Sequence, residues 1–447
     1  MAKARPKSTK KKSAKKTEGS DILDAAIKEF VTEIESFAKS LPWVMPMVGV
    51  ALNKANQDLN TFVDQYGQRG KEPNGDDFFA IPIDKLQKFE RLQKSRRVAL
   101  LAIYNVPVSF FVSLVSQYDA YLGNLLTKIF SKKTDLLNVS ERVLTLSELM
   151  EFKDLSSARE FILEKEVESV IRQSHTEQFE WMENKFGLPL RKELEAWPRF
   201  IELTERRNLF VHCNGAVSTQ YMTVCKRHGC SPQPKIHAGS RLHVSPEYFA
   251  ESFHCLFEIG VKLGQVLWRK LFPNELLKAD ENLVDVCYDL LVSQEYKLAK
   301  VLLLFATSTL KKHSSEEYRR IFKINLAIAY NASGEKSACK ILLAEEDWSA
   351  CRDRLKIALA VLQNRFPDAA DIMKRIGKTG EVRRVDYEEW PVFMEFRKTD
   401  IFQHTYSEVF GEEFSSPQKV AKPIDEKIAE QAVNNSCTES TKEKTPN

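Results

Sequence analysis

The sequence predicts an all-α protein in which a helical bundle is followed by a run of helical hairpins. Only 16 glycines and 17 prolines occur among 447 residues, few turn formers for a chain of this length. Apolar side chains recur three and four positions apart through most of the chain, which is the helical period. Hydrophobic and charged fractions of 43% and 29% are those of a globular protein, and the length calls for more than one domain.

Residues 1–20 form a basic tail. Lys3, Arg5, Lys7, Lys10, Lys11, Lys12, Lys15 and Lys16 stand there ahead of any acid. Removing those eight charges from the net +4 leaves residues 18–447 at −4, so the remainder is mildly acidic. With almost no apolar content the tail cannot offset the entropy of ordering. Its charges suit phosphate backbones through counterion release, or they act only as a solubilising segment. No apolar run follows them, so they are not a secretory signal. Eight cysteines are scattered singly along the chain, which reads as a set of reduced thiols in a cytoplasmic protein.

Residues 21–82 read as an N-terminal helical segment and linker. Ile22, Ala25, Ile27, Phe30, Val31, Ile34 and Phe37 keep helical spacing after Asp21, a candidate N-cap. Residues 71–85, KEPNGDDFFAIPIDK, are rich in turn formers. A helical bundle then occupies residues 83–272. Residues 98–117 carry no charge, but Asn105-Val106-Pro107 interrupts the run, and Asp119 and Asn124 continue its periodicity. The pattern therefore predicts a soluble helix over 107–130 that starts at the proline, not a membrane span. Its stripe is Val108, Phe111, Val112, Val115, Leu122, Leu125, Leu126 and Ile129.

A charged, partly exposed helix is expected over 158–186, and a further helix opens at Pro198 and carries ERRNLFVHCNG at 205–215. The main loop follows at 226–247, and a last helix runs from Pro246 to the end of the unit. Residues 273–414 read as three helical hairpins. Leu326, Ala327, Tyr330 and Gly334 follow tetratricopeptide spacing, though the period between hairpins is irregular. Such hairpins offer a surface for a protein partner, or they pack as plain helices. Residues 415–447 form a polar tail.

The stretch at 205–215 carries the chemistry. At 100° per residue, Arg207 falls among Phe200, Leu203, Phe210 and Val211, in the centre of an apolar stripe. Asn208, His212 and Gly215 lie along its polar edge, and Arg206 falls on the opposite flank as a surface residue. An arginine on an apolar face needs an anion, because an unpaired buried charge is costly. Asp119 sits between Val115 and Leu122 on the first bundle helix, where an apolar residue would fit the pattern. The two are expected to be neighbours. Histidine beside a positioned arginine suits cleavage of an RNA phosphodiester: the imidazole moves the proton and the guanidinium neutralises charge growing on the phosphoryl oxygens. Asn208 would orient the imidazole or bond a phosphate, and Gly215 would let another backbone approach.

These residues resemble a known family. RNLFVH, an arginine followed by asparagine and then a histidine after four intervening residues, is similar to the RX4-6H motif of the HEPN superfamily. The likeness spans residues 83–272, including VSQYDAYL on the first long helix. It implies an all-α, metal-independent endoribonuclease that needs no cofactor, with Arg207 and His212 catalytic, Asn208 their polar partner and Asp119 an orienting acid. It also implies a homodimer whose two motifs share one cleft, and a setting in toxin–antitoxin or antiviral defence. RNA is then the substrate, by transesterification to a 2′,3′-cyclic phosphate, and no membrane is involved. The alternative is a catalytically silent module of the same shape that binds nucleotide or protein, with the hairpins as scaffold.

Other motifs are weaker. Cys225, His228, Cys230 and His237 bear zinc-ligand groups, but C-x2-H-x-C is not a structural zinc spacing. IGKTGE at 376–381 resembles a phosphate loop, yet Ile372 stands where that loop needs glycine.

Overall fold

The computed structural model describes residues 22–71, 77–137, 144–230 and 236–415. Among them the protein is all-α apart from one short β-hairpin and one isolated bridge. The chain forms two compact units, Met1–Cys287 with Val301–Tyr318, and Tyr288–Lys300 with Arg319–Asn447. The segment at 21–82 thus shares a unit with 83–272, and the sequence boundary at 272 falls inside that unit. Asp21, the candidate N-cap, lies outside the described residues, as do the basic tail and residues 416–447.

In the first unit α1 (Ile22–Tyr66) runs well past the 20 or so residues its apolar pattern suggests, through Pro42 and Pro46. The hairpin of β1 (Gln68–Lys71) and β2 (Asp77–Ala80) then reverses the chain, pairing Gln68 with Ala80. The expected linker at 71–85 is therefore partly strand. The next helix, α2 (Leu86–Lys132), does not start at Pro107 but passes through it. Proline removes one backbone donor without ending a helix whose neighbouring turns are held by packing, and here α1 lies against α2 on both sides of that point. α2 is long and apolar enough by composition to cross a membrane, but beyond Phe110 its apolar stripe is core: Phe111, Leu114, Val115, Tyr118, Leu122, Leu125, Leu126 and Ile129 are buried.

α3 (Leu146–Met150) and α4 (Leu155–Ile171) follow, then α5 (His175–Phe186). The single charged helix expected at 158–186 is two, because Ser174 caps α5: its hydroxyl accepts from the Glu177 amide while Glu177 accepts from the Ser174 amide. α6 (Trp197–Cys213), α7 (Thr219–Arg227) and α8 (Pro246–Leu271) complete the bundle. The central α8 is met by both long helices. Phe30 stacks on Tyr121 (4.2 Å), whose hydroxyl donates to the Gly260 carbonyl at 3.1 Å. A Cβ at Gly260 would sit 2.2 Å from the Phe30 ring, so glycine is what lets α1 seat against α8.

The remaining helices are α9 (Leu276–Val292), α10 (Tyr296–Leu304), α11 (Glu316–Ala332), α12 (Lys336–Ala344), α13 (Asp353–Leu362), α14 (Phe366–Ile376), α15 (Arg384–Glu389) and α16 (Asp400–Phe410). The three turns expected to close hairpins each contain a residue at positive φ: Gln294 (63°), Gly334 (79°) and Asn364 (57°). In the second unit α13 packs on α14 and α14 on α16. Tyr387, Phe393, Phe396, Phe402 and Tyr406 fill the space beside them.

Candidate functional site

α6 begins with Pro198 in its first turn, where a missing N–H costs no hydrogen bond. It ends on Asn214 and Gly215, both left-handed, with the Gly215 amide donating to the Leu209 carbonyl (2.9 Å). The N-terminal half is enclosed: Phe200, Ile201, Glu202, Leu203 and Thr204 are all buried. Towards the C-terminus only one side stays packed. Leu209 joins Val217, Tyr221, Cys225 and Leu242 in a small apolar cluster. Val211, His212, Cys213 and Asn214 are exposed, and Asn208 is half-buried beside them.

This corrects two readings from helical phase. Arg206, expected at the surface, is buried. Its Nε donates to Glu202 at 2.7 Å, an Nη donates to the His243 carbonyl, and its guanidinium lies 3.8 Å from the centre of the Tyr248 ring. Glu202 also accepts from the hydroxyls of Tyr221 (2.7 Å) and Tyr248 (2.8 Å). Burial, with the Glu202 charge beside it, holds the Tyr248 hydroxyl well above the ordinary tyrosine range. Arg207 is not at the centre of the packed stripe but at its margin, because α7 and the 239–242 segment cover the Arg206–Leu209 side instead.

Arg207 nevertheless meets Asp119. Its Nη2 donates to Asp119 Oδ2 at 2.9 Å, across 88 residues of chain. The other carboxylate oxygen is taken by His175, whose Nε2 lies 2.8 Å from Oδ1. His175 is only 6% exposed, and its ring packs edge-on against Phe200. One carboxylate thus bridges a buried imidazole and the motif arginine. Glu205 stands near both. Burial raises its carboxyl above the ordinary range, against the pull of His175 and Arg207. Residue spacing also puts Glu205, Asn208 and His212 on one stripe (i, i+3, i+7). Neither Asn208 nor His212 makes a side-chain hydrogen bond among the described residues. The arrangement anchors one cation and leaves an amide and an imidazole accessible on the same edge.

Gly215 does not open that edge to a foreign backbone. A Cβ there would lie 3.0 Å from the Phe210 ring and 3.0 Å from the Tyr104 hydroxyl, so its role is to turn the chain tightly. The turn leads into a bridge between Ala216 and Arg241. Arg241 in turn donates to Asn214 (3.0 Å) and lies over the Tyr104 ring (4.6 Å), which brings a second cation to the end of α6.

The Cys/His loop is placed differently. Cys225 and Cys230 are hydrogen-bonded neighbours; that bond and burial hold the Cys225 thiol above the ordinary range. His228 accepts from the Trp197 indole (3.4 Å), and His237 lies in the exposed loop. No group of three or more metal-ligating side chains occurs among the described residues. His175 and Glu205 were not found from sequence. The Ser174–Glu177 cap signals the start of α5, but nothing local says that its first residue reaches Asp119.

No family model, no curated protein and no solved structure matches this chain.

Proposed function

We propose that the first unit is a metal-independent endoribonuclease of the HEPN kind. The observation that carries the reading is the open edge of α6, where an arginine fixed by a carboxylate adjoins an asparagine and a histidine whose side chains make no hydrogen bond among the described residues. In this reading His212 takes the proton from a ribose 2′-hydroxyl as that oxygen attacks the adjacent phosphorus. The bond from phosphorus to the 5′-oxygen breaks, that oxygen takes up a proton, and a 2′,3′-cyclic phosphate remains. Arg207 neutralises the charge gathering on the phosphoryl oxygens. Asp119, steered by His175, sets the direction in which the guanidinium points. One edge supplies half a cleft, so two copies of the chain bring two edges to one RNA strand. The basic N-terminal tail adds affinity for RNA, and the hairpins at 273–414 hold a protein partner.

A second reading is a binding module of the same shape without catalysis. It draws on the Arg207–Asp119 pair, since a guanidinium already engaged can be structural. The variants Arg207→Ala and His212→Ala separate the two. In the first reading each folds as the parent does and cuts single-stranded RNA at least ~100-fold more slowly, the range for loss of a general acid–base group or an oxyanion partner. Undiminished cutting by both variants favours the second reading.

A further inference from the structure

Between Pro42 and Phe110 the two long helices form an arm. α2 buries no residue before Phe111, and α1 buries only Ala55, Leu59 and Phe62 over this stretch. The arm is zipped antiparallel by Phe37 on Phe110 (6.1 Å), by Arg96 Nε donating to Asn56 (2.9 Å), and by Phe62 stacked on Phe89 (6.3 Å). These ties set residues 41–53 of α1 level with residues 98–110 of α2, and neither run contains a charged side chain. Beyond them, residues 54–97 carry many charges of both signs.

The uncharged band is also uncovered. Trp43, Met47 and Val50 are 71%, 73% and 67% exposed, and Val98, Leu100 and Leu101 are 59%, 46% and 48% exposed. Together they offer on the order of 600 Å² of apolar surface, at the upper end for a monomer and near the ~800 Å² that each partner gives a standard interface. A bilayer is a poor cover. The α1 run rises only about 20 Å, against a hydrocarbon core of roughly 30 Å. The α2 run stays uncharged to Gln117 but is taken up by the protein core from Phe111 onward, and the charged outer arm would have to pass through the bilayer. A second copy of the chain fits better. Its arm carries the same band at the same height on both helices, so two arms related by a two-fold axis meet apolar against apolar. At its base the band adjoins the turn that ends α6: Tyr104, within the α2 run, donates to the Leu242 carbonyl and lies under the Arg241 guanidinium.

We infer that this band is a self-association surface, and that the arm of a second copy covers it. The surface stands without the RNA reading. Only its consequence, that pairing the arms brings two α6 edges together, rests on the proposed function.

Light scattering on the size-separated full-length protein tests this. The wild type is expected at twice the chain mass of 51.4 kDa. Met47→Glu and Leu101→Glu, both at exposed positions, are each expected to run as monomers with unchanged helical circular dichroism, the dissociation constant rising at least tenfold. A monomeric wild type overturns the inference, as does a dimer kept by both variants. So does a wild-type monomer that floats with phosphatidylcholine–phosphatidylserine vesicles. RNA cutting measured on the same samples keeps the two claims apart. A dimer lost in the variants without RNA cutting by the wild type leaves the arm standing and removes the nuclease.

Discussion

Single residues in this protein are explained by where their charge goes. Arg206 and Arg207 are adjacent, yet one is sealed against Glu202 and Tyr248 while the other reaches Asp119 at the margin of the open edge. The Asp119–Arg207 contact was legible in sequence because each charge interrupts an apolar stripe and the two requirements answer each other. The burial of Arg206 was not, since Glu202, Tyr221 and Tyr248 converge on it from three helices, and spacing within α6 carries no sign of the partners on the other two. Glu202→Ala is expected to destabilise the first unit by about 3–5 kcal/mol, because it strands a buried guanidinium and two hydroxyls. Chemical denaturation that moved by less than about 1 kcal/mol would contradict the burial described here.

At the scale of elements, the site depends on how α6 ends and where α2 does not. Gly215 sits at a φ of 76° with Phe210 and Tyr104 against its open side, so Gly215→Ala is expected to cost roughly 1–2 kcal/mol, more than a glycine replacement at an ordinary turn. Thermal unfolding of that variant gives the check. The helices of the 273–414 region were visible from their apolar periodicity, and Gly334 and Asn364 mark two of the turns between them, whereas Gln294, also at positive φ, gives no such signal. The passage of α2 through Pro107 was hidden, because a proline that opens a helix and one that lies inside it leave the same local pattern, and only packing of α1 on both sides decides between them.

For the whole molecule, the fold class follows from composition and period alone, whereas the division into units depends on contacts far apart in sequence, such as Phe30 with Gly260, that no window shows. The second unit carries an ion-pair cluster whose contribution is lost in acid. Arg319 and Lys323 hold the Glu346 carboxyl at about 2, from an ordinary 4.5. A depressed folded value stabilises above the unfolded one, so that contribution is whole above about 4.5 and is lost as pH falls towards about 2. Unfolding temperatures taken either side of this window should therefore fall less steeply for Glu346→Gln than for the parent, and equal slopes would contradict it. The nuclease chemistry is tested by incubating the purified protein with single-stranded RNA in excess EDTA and analysing the new ends. Fragments ending in 2′,3′-cyclic phosphate are expected from the parent and not from His212→Ala. Intact RNA with the parent, or cutting that EDTA abolishes, would contradict that chemistry.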